Sequence, residues 1–244
     1  VNTTPELFTR DGHTVVRASD GSFLRVTAST TTASAADLYR QVGERLAERA
    51  AQHAAPIPGR EGISLAGNPA DLAALAPALL GLDATPRSPT SPDRALIVQV
   101  VADRTQHRGL DHLAASGTGV LRCYREGDLL LIDPLMLGPE DPTGSQVLRR
   151  RIAASPAAAD LNAWLDAAGE HTPGLDDLDP VALDMAGARL RQIIAAWQHN
   201  TAELPRLRRT LWMLDCATLA ASEHPVLAFP EPAARPQPRS LSRP

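Results

Sequence analysis

Apolar and polar positions alternate over residues 14–18 and 23–27. This period of two predicts a pair of strands, with Asp20-Gly21 between them as a hairpin signal. From residue 34 the period lengthens. Leu38, Val42 and Leu46 fall at i, i+4 and i+8 behind a Ser34-x-x-Asp37 capping pattern, so residues 34–52 predict an amphipathic helix. Pro56, Pro58 and Gly59 end it.

The next stretch mixes the two periods. Residues 62–67 predict a short buried strand and a tight turn into a helix from Pro69, with Leu72, Leu75, Ala76, Leu79 and Leu80 on one stripe. Residues 83–93 hold Pro86, Pro89 and Pro92 and predict a loop. Residues 95–102 are nearly all apolar and rich in valine, as suits a parallel strand covered on both faces. A polar helix over 105–116, a strand over 120–124, a turn at Glu126, Gly127 and Asp128 and a strand over 129–132 complete an α/β pattern.

Thr143 and Gln146 form a capping box for a helix carrying Val147, Leu148 and Ile152, with Arg149, Arg150 and Arg151 expected in solvent. A helix over 158–168 is expected to bury Leu161, Trp164 and Leu165. In 179–198, Asp179 caps, Pro180 stands at the first helical position, and Leu183, Ala186, Leu190, Ile193, Ile194 and Trp197 share a face. Short strands are expected at 211–214 and 225–228. Residues 229–244 contain five prolines and three arginines and predict a flexible tail.

Composition narrows the chemistry. All 24 basic residues among the 244 are arginine, so Schiff-base lysines and phosphate-loop lysines are excluded. A net charge of -4 gives no basic excess for nucleic acid. Cys123 and Cys216 stand alone, outside any CxxC spacing, which argues against a disulfide framework and fits a reducing cytoplasm. No run is long and apolar enough to span a bilayer, and membrane attachment is not expected.

Individual residues offer little for catalysis. The turn Gly67-Asn68-Pro69-Ala70-Asp71-Leu72 keeps one glycine of a nucleotide-binding turn, while Pro69 removes a donor and Asp71 puts negative charge where a phosphate would lie. His107 and His112 are five apart, on different helix faces, and read as surface residues. The cysteines have no neighbouring base and read as structural. Asp133, at the end of an apolar strand, is the best-placed acid for a site, with capping of the Pro134 turn as the simpler role.

Residues 95–103 through Leu113, 119–124, 131–139 and 149–155 resemble the ThiF-like leader-peptide-binding proteins of thiazole/oxazole-modified microcin and thiopeptide clusters, and residues 211–227 look like that family's last strand pair. The resemblance implies a degenerate Rossmann/ThiF-like α/β domain over 60–228. Before it, residues 1–55 would form a shortened winged-helix-like region that takes a precursor leader as an added strand. It implies a non-catalytic partner of a YcaO-type cyclodehydratase, with Phe23, Arg25, Val26, Thr27, Leu38 and Val42 contacting the leader and no catalytic residue of its own; a homodimer stays open. The family's zinc is held by two CxxC pairs, which here would fall near Gly144 and Val147 and near Pro232 and Arg235. None of these can ligate zinc, so no metal and no cofactor is expected. Two alternatives remain open: a small Rossmann-like enzyme of unidentified cofactor, and a purely structural subunit.

Overall fold

A computed structural model describes residues 6–17, 23–26, 40, 41, 44, 56–86, 96–167 and 174–229. It divides into two compact units, Val1–Ala55 and Pro56–Pro244.

The first unit carries a three-stranded antiparallel sheet, β1 (Glu6–Arg10), β2 (His13–Arg17) and β3 (Phe23–Val26), in the order β1-β2-β3. The sequence pattern points to the β2–β3 pair and misses β1, where adjacent Leu7 and Phe8 break the alternation. The β1–β2 hairpin closes on a second Asp-Gly pair, Asp11 and Gly12, with φ of 52° and 75°. Two successive left-handed residues give a turn whose twist matches the flanking strands. Asp20-Gly21 lies outside the described residues. So does most of the expected 34–52 helix, of which Arg40, Gln41 and Glu44 are helical.

The second unit is an α/β domain around a seven-stranded mixed sheet in the order β10-β9-β8-β7-β6-β4-β5. β4 (Gly62–Ala66), β5 (Asp83–Pro86), β6 (Leu96–Val101) and β7 (Gly119–Glu126) run parallel. β8 (Leu129–Ile132), β9 (Thr210–Asp215) and β10 (Ala220–Pro225) extend the sheet as antiparallel neighbours, β7–β8 and β9–β10 as hairpins. Strand order reverses at β4, between β5 and β6, which makes a crevice beyond the carboxyl ends of β4 and β6 the default ligand position in such a sheet.

The helices are α1 (Pro69–Leu75), α2 (Arg104–Gly109), α3 (Gly144–Ala154), α4 (Ala158–Ala167), α5 (Pro180–His199) and α6 (Leu204–Leu207). Ile63, Leu65, Val98, Val100, Leu121, Cys123, Leu130 and Ile132 pack with α5 residues Leu190, Ile193, Ile194 and Trp197 into the largest core cluster. α5 starts and stops as its sequence dictates: the Asp179 side chain accepts from Val181 N, Pro180 opens the first turn, and Asn200 adopts a left-handed C-cap. The other face of the sheet holds two smaller apolar clusters, one around Ile97, Val120 and Met136, the other around Val101, Leu131, Val147 and Leu211.

Several expectations are corrected. Residues 83–86 form strand β5, not a loop, paired in parallel with β4. Pro86 is tolerated because β5 is an edge strand and needs fewer donors. Leu80 lies beyond the 3₁₀ turn Ala76–Leu79 and is 70% exposed, off the buried stripe. Trp164 is exposed, and α4 has no fully buried residue. Arg151 is not solvated: its side chain is largely buried against Glu126. The last strand is residues 220–225, not 225–228. Its six residues are all exposed and leave no apolar signal, and Val226 just beyond it enters the core. α6 has no counterpart in the sequence reading.

Candidate functional site

Of the residues expected to contact a leader peptide, the structure describes Phe23 and Arg25 in full and the backbone of Val26. Thr27, Leu38 and Val42 lie outside the described residues, as does the Val26 side chain. β3 stands at one edge of its sheet, with Val15 opposite Arg25 and Arg17 opposite Phe23. Residues directly opposite share a face. Phe8, opposite Val15, therefore lies on the same face as Phe23, and their rings meet edge to face with centroids 6.0 Å apart. Phe23 is 62% exposed and Phe8 41%. On the opposite face Val16 is fully buried.

Beyond the carboxyl ends of β4 and β6 the chain's own side chains hold the turns into α1 and α2. Gly67 allows the β4–α1 turn to lie on β6, since a Cβ there would meet Val100 Cβ at 3.0 Å and Val100 O at 3.1 Å. Asp71 donates its N–H to Asn68 Oδ1 (2.9 Å), and its buried carboxylate accepts from the Asn68 amide and, at 2.5 Å, from Leu175 N. Asp103 caps α2 through Gln106 N (2.8 Å). The α1 N-terminus is thus capped by the Asn68 amide oxygen with the Asp71 carboxylate beside it, and the α2 N-terminus by the Asp103 carboxylate, where a phosphate would need free donors.

Strand alternation sends Arg122, Tyr124 and Glu126 of β7 to the α2/α3 face, where they form a polar seam between the two apolar clusters. Tyr124 donates to Asp133 Oδ1 at 2.9 Å, and its ring packs edge to face on His107. His107 Nε2 approaches Asp133 Oδ2 at 2.9 Å. Asp133 is therefore neither a solvent-facing acid nor a turn cap, and His107, 4% exposed, is not a surface residue; only His112 is. Burial raises the Asp133 carboxyl, but His107, Arg122 and the Tyr124 hydroxyl outweigh it and hold it below the usual carboxylate value. Burial, with the Asp133 charge next, pushes the Tyr124 phenol well up, so it remains a neutral donor. With all three side chains enclosed, no substrate reaches them, and the seam acts as a specifying element of the core. Sequence reading missed it because the partners are brought together only by the sheet.

Beside the seam, the Asp111 carboxylate accepts from Arg122 Nη2 (2.8 Å), Gly144 N (2.8 Å), Ser145 N (3.0 Å) and Ser145 Oγ (2.6 Å). It fills the N-terminus of α3 where the first zinc-binding pair would stand. A Cβ at Gly144 would lie 2.3 Å from the His107 carbonyl oxygen and 3.1 Å from the Arg122 guanidinium, and Val147 is fully buried. A cysteine-held metal does not fit this position. Among the described residues, no three His, Cys, Asp or Glu side chains gather as metal ligands. Pro232 and Arg235 lie outside the described residues.

Cys123 is buried, and burial, with the charges of Asp133 and Asp71, pushes its thiol up to about 12. An open groove of about 510 Å³ beside β4, α1 and β5, formed by residues such as Leu65, Leu72, Leu79 and Ala84, is lined only by apolar residues, proline and glycine, so it offers no acid or base. No helix among the described residues is long and apolar enough to cross a membrane.

No protein-family model and no curated protein matches the sequence. Solved structures do match the fold. A structure described as "Heterocyclase in complex with substrate and Cofactor" shares it at TM-score 0.56 and 13% identity, over 91% of this chain and 37% of that one. "Structure of the heterocyclase TruD" gives TM-score 0.57 and 14% identity, over 91% and 40%. A chain of the "E. coli Microcin synthetase McbBCD complex" gives TM-score 0.53 and 10% identity, over 94% of this chain and 98% of that one. The chain thus spans under half of the two heterocyclases and nearly the whole of the microcin synthetase component. It has the α/β fold of these proteins, including the small sheet-bearing unit ahead of the domain.

Proposed function

We propose that the chain is a non-catalytic leader-peptide-binding and scaffolding partner of a YcaO-type cyclodehydratase, in the assembly of a ribosomal peptide bearing thiazole or oxazole rings. The observation that carries this reading is the edge position of β3, which among the described residues pairs with β2 alone, with Phe23 and Arg25 in solvent, on a chain similar in fold to a component of a microcin synthetase. An extended peptide added beside β3 is held by main-chain hydrogen bonds and sorted by side-chain contacts at alternate positions. The α/β domain supports the scaffolding part of the proposal. The helix starts beyond β4 and β6 are capped by Asn68 and Asp103 with the Asp71 carboxylate alongside, and the polar seam is buried, which supports leaving ATP chemistry to the partner enzyme.

The test is reconstitution. Any YcaO-type enzyme and short precursor found encoded near the chain are combined with it and ATP, and ring formation is followed by mass as the loss of one water per ring. Ring formation that requires all three components supports the proposal. Ring formation by the enzyme and precursor at the same rate without the chain contradicts it.

A further inference from the structure

The outer face of the three-stranded sheet is unusual for a chain this poor in aromatic residues. Phe8 and Phe23 are two of its three phenylalanines, and both stand in solvent on one face, in mutual contact across Val15. Arg25 follows Phe23 by two on β3, so it shares that face and lies at the sheet edge. Among the described residues no carboxylate pairs with Arg25. Aromatic residues exposed together beside a cation make a poor solvated surface and a good recognition surface.

We infer that this outer face selects the peptide: the segment added beside β3 carries an apolar side chain where it meets Phe23 and an acidic one two positions away, where it meets Arg25. This rests on the strand-addition reading above and specifies its ligand. A strand paired with β3 necessarily presents every second residue to the Phe8/Phe23 face. Directly opposite partners sit about 5 Å apart at Cβ, close enough for an aromatic-apolar pair and an Arg-carboxylate pair. The fit is to an apolar-x-acidic segment of either strand direction, since the same-face spacing of two is common to both.

The probe is a display library of random dodecapeptides selected on the chain, with the enriched peptides then titrated against Phe23→Ser, Arg25→Glu, Arg25→Pro and Val26→Pro variants checked for folding by circular dichroism. The inference expects enrichment of an apolar and an acidic residue two apart. It also expects about tenfold weaker binding for Phe23→Ser and Arg25→Glu, and recovery on Arg25→Glu when the peptide's acidic residue is changed to arginine. If peptides bind through β3, losing affinity with one of the two folded proline variants while ignoring Phe23→Ser and Arg25→Glu, the outer-face inference is overturned and strand addition stands. If enriched peptides ignore all four changes, both are overturned.

Discussion

His107 Nε2 lies 2.9 Å from Asp133 Oδ2 inside a core that excludes water from both side chains. Replacing His107 with leucine leaves a buried carboxylate supported by Tyr124 and, at longer range, Arg122. The expected loss is about 3 kcal/mol of unfolding free energy in urea titration, the usual scale for removing one partner of a buried pair. The pH dependence follows from the depressed Asp133 carboxyl. Its contribution is present above the unfolded carboxylate value of about 3.9 and lost as pH falls through the lower folded value. The stability gap between wild type and Asp133→Asn is therefore widest near neutrality and closes below about pH 4. A gap that widens on acidification contradicts the assignment.

The Asp111 carboxylate anchors the N-terminus of α3. Asp111→Ala removes the acceptor for two helix N–H groups, the Ser145 hydroxyl and Arg122, and is expected to cost about 2–4 kcal/mol. Gly144→Ala forces a Cβ against the His107 carbonyl and is expected to lower the Tm by several degrees. Adding zinc or a strong chelator is expected to leave the wild-type Tm unchanged, and elemental analysis to find no stoichiometric zinc; about one zinc per chain would contradict this.

With the α1 N-terminus capped by Asn68 beside the buried Asp71 carboxylate, and that of α2 capped by Asp103, ATP, ADP and NAD are expected to give no heat on titration and no Tm shift. The isolated chain is expected to form neither AMP nor ADP with precursor present. Saturable nucleotide binding would overturn this account.

The two thiols differ in access. In the native protein a maleimide at pH 8 is expected to label Cys216, which is partly exposed, and to spare Cys123 until the chain is unfolded. Early labelling of Cys123 would mean that the core opens far more readily than its packing implies.

Elements whose own sequence carries the signal were legible. The continuous apolar run of β6, the Thr143/Gln146 capping box and the Asp179-Pro180 start of α5 all lie where the pattern puts them. Elements that owe their state to a neighbour were not. β5 and β10 are edge strands recruited by β4 and β9, and their polar or proline-bearing sequences carry no strand period of their own. The polar seam failed for a related reason. His107, Tyr124 and Asp133 come from a helix, a strand and a strand end, and nothing in their spacing shows that they converge. On the β3 edge, the strand positions of Phe23 and Arg25 were legible from the β2–β3 alternation, but Phe8 was hidden with β1.

The central claim is that a leader peptide adds to β3, and the direct measurement is the affinity of a precursor leader peptide for the chain with proline at Arg25 and, separately, at Val26. Successive N–H groups of a strand point alternately to its two sides, so one proline removes a donor from the open edge and the other removes a donor from the β2 ladder. The account predicts that the edge-facing proline keeps the circular dichroism of the wild type yet loses binding, while Arg25→Ala weakens it only a few-fold. Retention of leader affinity by both proline variants would contradict it.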